Sequence, residues 1–156
     1  MNDDQTMELN SLLIIDDDPV HSAVIGRTAR KAGFAAMVAH SYEDACRFLS
    51  RRRFDCITLD LGLNDHGGAD VLRHLAAIRC DSKIVVISQS DKDTCDDMVQ
   101  LGRALDLKVY KYVQKPIDLE ALRRALENMR SRPMPQGEAP FSTPGTEADE
   151  IALTDR

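Results

Sequence analysis

The chain has 156 residues, 43% of them hydrophobic, which suits one globular domain built on a single core and leaves little for a second. Its 20 basic and 26 acidic residues give a formal charge of -6, which repels nucleic-acid phosphates and anionic membranes, so neither is an expected partner. The opening MNDDQTMELN carries acids where a secretory signal carries a basic and then an apolar region, and no later apolar run approaches a membrane span, so a cytoplasmic protein is expected. The 4 cysteines, Cys46, Cys56, Cys80 and Cys95, show no C-x-x-C spacing and read as reduced thiols without a metal role.

Residues 1–10 read as a flexible segment ahead of a domain spanning 11–131. SLLIID is the first short run of branched apolar residues and reads as a strand. Pro19 then suits the first turn of a helix over 19–32, with Gly33 as its C-terminal cap. FAAMVA is the second strand. Ser41 is a candidate N-cap for a helix over 41–52, whose last turn would place Arg51, Arg52 and Arg53 against the negative end of the helix dipole. FDCITLD, SKIVVIS and KVYKYV read as three more strands, and the intervening segments fit helices over 68–77, 92–105 and 119–130. From Ser131 the text SRPMPQGEAPFSTPGTEADEIALTDR holds four of the 6 prolines and almost no core-forming pattern, so residues 132–156 are expected to be a disordered or partner-docking tail.

Apolar runs without strict alternation imply strands covered on both faces, and helices between consecutive strands imply right-handed parallel crossovers. The expected fold is therefore a doubly wound five-stranded α/β sheet. In such a sheet, ligands sit at the carboxyl ends of the strands. Asp16 and Asp17 end the first strand, Asp60 the third and Ser88 the fourth, while Lys115 follows the fifth, so all converge on one edge. Two carboxylates about 4 Å apart repel by roughly 4 kcal/mol at an effective dielectric near 20. A hard divalent cation such as Mg²⁺ and the Lys115 ammonium are the expected compensation. Asp18 reads as a solvated loop acid. His21, His40, His66 and His74 have no i, i+4 pairing that would suggest a metal site, and His66 reads as a solvated loop residue.

The stretches LLIIDDDP, DCITLDLGLNDHGG, IVVIS and YVQKP, in that order and spacing, resemble the receiver domain of bacterial two-component response regulators over roughly residues 12–130. The resemblance implies a flavodoxin-like strand order 2-1-3-4-5 and a stand-alone receiver with Asp60 as phospho-acceptor. It implies that Asp16, Asp17, Asp60 and the carbonyl of Gly62 hold Mg²⁺, that Ser88 and Lys115 contact the phosphoryl oxygens, that Tyr112 is the switch aromatic, and that Lys115-Pro116 is cis. A sensor histidine kinase or histidine phosphotransfer protein is the implied donor. A chain of this length is expected to carry no effector domain. Output is expected through an unidentified downstream protein, or through a homodimer formed by the fourth helix, last strand and fifth helix.

Tyr110 and Tyr112, alternating with Lys111, look like two aromatic anchors on that surface. No catalysis is expected beyond the domain's own phosphorylation and dephosphorylation. A phosphate sink or phosphorelay intermediate is the alternative use of the same chemistry. Two positions depart from the family pattern: Asn64 replaces the usual proline after the acceptor and Gln89 replaces a small residue after the switch serine, so both are candidates for tuning phosphoryl lifetime. IIDDDPV also fits the signature of haloacid-dehalogenase-like phosphatases, with Asp16 as nucleophile and Asp18 as general acid, but that reading leaves Asp60 unexplained.

Overall fold

The structure, a computed structural model, describes residues 9–63 and 67–130. Asn64, His66, the first eight residues and the expected tail at 132–156 lie outside the described residues. Elements alternate along the chain: β1 (Asn10–Ile15), α1 (Pro19–Lys31), β2 (Phe34–Ala39), α2 (Tyr42–Leu49), β3 (Cys56–Asp60), α3 (Gly68–Ala77), β4 (Lys83–Ser88), α4 (Lys92–Ala104), β5 (Lys108–Gln114) and α5 (Leu119–Met129). The strands form one sheet in the order β2-β1-β3-β4-β5, and every neighbouring pair is parallel. β1 takes in Asn10, which is buried, so the first strand starts one residue inside the segment expected to be flexible.

Side-chain alternation sends each strand's apolar residues to two separate cores. Leu13, Ile15, Ile57, Leu59, Ile84 and Val86 pack beneath α2, α3 and α4 with Leu72, Leu75 and Val99. Leu12, Ile14, Cys56, Val85 and Ile87 pack on the other face beneath α1 and α5 with Ile25, Leu122 and Leu126. Consecutive residues of β1 and β4 are thus buried on opposite faces, which explains why these strands read as continuous apolar runs.

Helix starts follow local chemistry. The Asp18 carboxylate accepts from the N–H groups of Val20 (2.8 Å) and His21 (3.2 Å), and Pro19 sits in the first turn, where no N–H is needed. Asp18 is thus the N-cap of α1 rather than an idle loop acid. Ser41 caps α2 by accepting from Asp44 N–H at 3.0 Å. Gly33, at φ 93°, ends the first helical segment as its position suggested.

Two further sequence expectations fail. α2 stops at Leu49, so Arg51–Arg53 lie beyond the helix and do not form its last turn. The Ser50 hydroxyl donates to the Arg47 carbonyl at 2.7 Å, and the Arg51 and Arg52 N–H groups share the Phe48 carbonyl, which closes the helix early. Arg52 then lays its guanidinium 4.6 Å from the ring centre of Phe54.

The second failure is in β5. Its register with β4 runs Ile84 to Val109 and then Val85 to Lys111, so Tyr110 is the extra residue of a bulge. A bulge reverses the side-chain parity of the residues after it. Val109 and Tyr112, three apart, therefore face the same core under α4, while Tyr110 is 44% exposed beside Lys83. The two tyrosines do not form a pair of equivalent surface anchors.

Candidate functional site

Strand ends bring the expected residues together. Asp16 follows β1 and extends its pairing, its N–H donating to the Ala39 carbonyl of β2 at 3.0 Å. Asp60 is the last residue of β3 and pairs with Ile87 of β4. Ser88 closes β4 opposite Gln114, and its carbonyl accepts from Lys115 N–H at 2.8 Å. That bond continues the sheet by one step and aims Lys115 at the crevice, just before the cis Lys115-Pro116 bond.

Carboxylate oxygens of Asp16, Asp17 and Asp60 all lie within 4.8 Å of one another. Asp16 and Asp60 are buried and Asp17 is half-buried. Both oxygens of Asp60 are engaged: Oδ1 accepts from Gly62 N–H at 3.0 Å and Oδ2 from Lys115 Nζ at 3.2 Å. Asp16 Oδ1 accepts from Asp18 N–H at 2.9 Å, whereas Asp16 Oδ2 is buried without a hydrogen-bond partner among the described residues. Desolvation, with Asp60 adding repulsion, pushes the Asp16 carboxyl up to about 6 against the pull of the Asp18 N–H and Lys115. An all-oxygen cluster with one orphaned buried oxygen fits a hard divalent cation, which would satisfy that oxygen and remove the repulsion.

Ser88 is buried at the rim, and its Oγ accepts from Ser90 N–H at 2.9 Å. Ser90 in turn presents its carbonyl to Gln114 Nε2 at 2.9 Å and to the Cys95 thiol at 3.7 Å. Gln89 is exposed on the same loop. Tyr112 is half-buried, one strand position from the Val113 that neighbours Gln114.

One residue of the site escaped the sequence reading. His21, in the first turn of α1, brings Nδ1 to 3.0 Å from Lys115 Nζ. A search for paired metal-binding histidines passes over it. The available signal was its place one helical turn after the Asp16-Asp17 pair, on the same rim of the sheet. The phosphatase alternative fares badly on geometry: Asp18, its general acid, is occupied as a helix cap, and the His21 and Val20 N–H groups hold its carboxyl below the usual range.

A parallel α/β sheet with carboxylates and a lysine gathered at the strand ends defines the doubly wound class that binds its ligands there. Within that class the chain belongs to the response regulator receiver domain family, whose model matches residues 12–127. The acid tolerance regulatory protein ActR of Rhizobium meliloti (strain 1021) is 32% identical over 117 residues, covering 74% of this chain and 57% of ActR. A response regulator from Colwellia psychrerythraea superposes with a TM-score of 0.69 at 28% identity, covering 78% of this chain and 97% of that one. A response regulator protein from Burkholderia pseudomallei, solved with a phosphorylated aspartic acid, calcium ion and citrate, gives a TM-score of 0.64 at 26% identity, covering 75% and 66%. The chain spans 25% to 57% of the length of curated relatives it matches. Among the described residues no helix is long and apolar enough to cross a membrane.

Proposed function

We propose that the domain takes a phosphoryl group from a phosphohistidine onto Asp60 and that Mg²⁺ is required. The observation that carries this is the carboxylate triad within 4.8 Å together with the Lys115 ammonium 3.2 Å from Asp60 Oδ2. An Asp60 oxygen attacks phosphorus, the donor's P–N bond breaks, and the released imidazole recovers a proton from solvent. Asp16, Asp17, Asp60 and the Gly62 carbonyl are the residues that would hold Mg²⁺. When bound, the ion neutralises charge on the transferring group. Lys115 follows the charge from Asp60 to the phosphoryl oxygens, and Ser88 donates one hydrogen bond to them. A histidine kinase or histidine phosphotransfer protein is the donor, and the domain acts on no substrate but itself.

The output reading is that Ser88, drawn to the phosphoryl group, moves the loop to α4 and lets Tyr112 turn inward, changing the surface of α4, β5 and α5 that meets a downstream protein or a second copy. A protein without that response would serve as a phosphate sink. Intact-mass measurement with phosphoramidate or a phosphorylated histidine donor tests the central step: one phosphoryl group should be added with Mg²⁺, none with chelator, and none in Asp60→Asn. Full incorporation in Asp60→Asn would overturn the assignment.

A further inference from the structure

We propose that His21 is a positioning residue for the Lys115 ammonium and thereby sets how fast Asp60 takes up its phosphoryl group; this rests on the receiver reading above. An ammonium offers three N–H donors and no acceptor. Lys115 has a side chain only 7% exposed, and the protein atoms within hydrogen-bond reach of its Nζ among the described residues are Asp60 Oδ2 at 3.2 Å and His21 Nδ1 at 3.0 Å. Asp16 Oδ2, at 3.8 Å, is beyond reach. His21 Nδ1 must therefore be the acceptor, which places the ring proton on Nε2.

The ring itself is well founded. Its backbone N–H is held by the Asp18 carboxylate at 3.2 Å, so the base of the side chain is fixed by the helix cap. Asp18 Oδ2 also lies 3.4 Å from Nδ1.

The choice of residue type follows from the chemistry. Lysine has a long flexible stem, and one acceptor leaves its head free to swivel. A second carboxylate would pin it but would repel the incoming phosphoryl group. A neutral imidazole pins it without that repulsion, so the ammonium is already in place when charge moves from Asp60 to the phosphoryl oxygens.

His21→Leu keeps the bulk and removes the acceptor; His21→Gln keeps an acceptor oxygen. With phosphoramidate and saturating Mg²⁺, His21→Leu should slow phosphoryl incorporation about tenfold and His21→Gln should restore most of the rate, at similar melting temperatures. Without metal, the ¹⁵N–¹H signal of the Lys115 ammonium should be protected in the wild type, broadened by exchange in His21→Leu and recovered in His21→Gln. Equal rates in the wild type and His21→Leu would overturn the proposal, as would a His21→Gln protein that folds normally yet is as slow as His21→Leu. Wild-type protein that takes no phosphoryl group would overturn the receiver reading instead, leaving the ammonium signal to decide the His21 contact.

Discussion

Asp16 Oδ2 and Lys115 Nζ face each other across 3.8 Å, too far for a hydrogen bond, and Asp16 Oδ2 has no hydrogen-bond partner among the described residues. The cation that could stabilise this buried carboxylate is held instead by Asp60 and His21. Burial then governs, raising the Asp16 carboxyl from 3.8 to about 6. Because the folded-state value lies above the unfolded one, folding favours the protonated acid. The contribution is fully present below about pH 4 and is lost as pH rises through about 6, a change on the order of 3 kcal/mol. Asp16→Asn should therefore raise the melting temperature of the metal-free protein at pH 7.5 by about 6–12 °C, while abolishing the further rise expected from Mg²⁺ in the wild type. Thermal melts in chelator and in Mg²⁺ check both halves; a lower melting temperature in chelator would contradict the first.

The same shift couples metal to protons. A cation needs Asp16 ionised, so Mg²⁺ at the proposed site would displace a proton wherever the acid is protonated in the free protein. Apparent Mg²⁺ affinity should be flat above about pH 7 and fall as pH drops below about 6, approaching tenfold per unit. Calorimetric titrations near pH 5 in buffers of different ionisation enthalpy should report release of close to one proton per ion, and almost none at pH 8.

The strands and the acidic site were readable because both depend on local pattern: short branched runs give the strands, and parallel crossovers put their ends on one edge, whereas the order of the strands came from the family resemblance. Asp16, Asp60, Ser88 and Lys115 needed only the crossover rule. The features that failed depend on partners distant in sequence or on a hydroxyl's direction. The bulge at Tyr110 arises from pairing with β4, so the alternation of Tyr110, Lys111 and Tyr112 could not announce its own reversal. The early end of α2 at Leu49 depends on a serine hydroxyl turning back to Arg47, and the arginine run seemed a ready dipole partner. The His21–Lys115 contact joins residues 94 apart. Asp18 could have been read correctly, since an acid before a proline at a helix start is a capping signal.

The seam between α4 and β5 has no spare room. A Cβ on Gly102 would stand 2.4 Å from Val109 Cγ2, and Arg103 fastens the same region by donating to the Val109 and Tyr110 carbonyls at 3.0 to 3.1 Å. Gly102→Ala should destabilise the fold by about 1–3 kcal/mol through overpacking. Val109→Ala removes the opposing methyl groups, so the double variant should lose clearly less than the sum of the singles. Urea denaturation of the four proteins measures the coupling; additive losses would mean that α4 shifts freely over β5.

Ser90 gathers the loop that leaves the site. Its N–H is held by Ser88 Oγ, and its carbonyl is held by Gln114 Nε2 and the Cys95 thiol, so a strand end, an edge residue and a helix all meet at one residue. Gln114 is exposed, so losing its amide should disturb little else. Gln114→Leu is expected to speed amide exchange at residues 89–92 about tenfold, the scale of one hydrogen bond, while the interior of β4 keeps its protection. A stable phosphoryl mimic should act on the same residue by another route: Ser88 turns toward the mimic, Ser90 N–H loses its acceptor, and exchange rises even with Gln114 in place. Ser88→Ala should erase that second effect, because the mimic then has no hydroxyl to draw, while leaving Mg²⁺ binding intact. Hydrogen exchange with and without beryllofluoride separates the two routes. If Gln114→Leu exchanges at the wild-type rate, Gln114 does not hold the loop; if the mimic leaves Ser90 unchanged, this loop is not where the phosphoryl signal leaves the site.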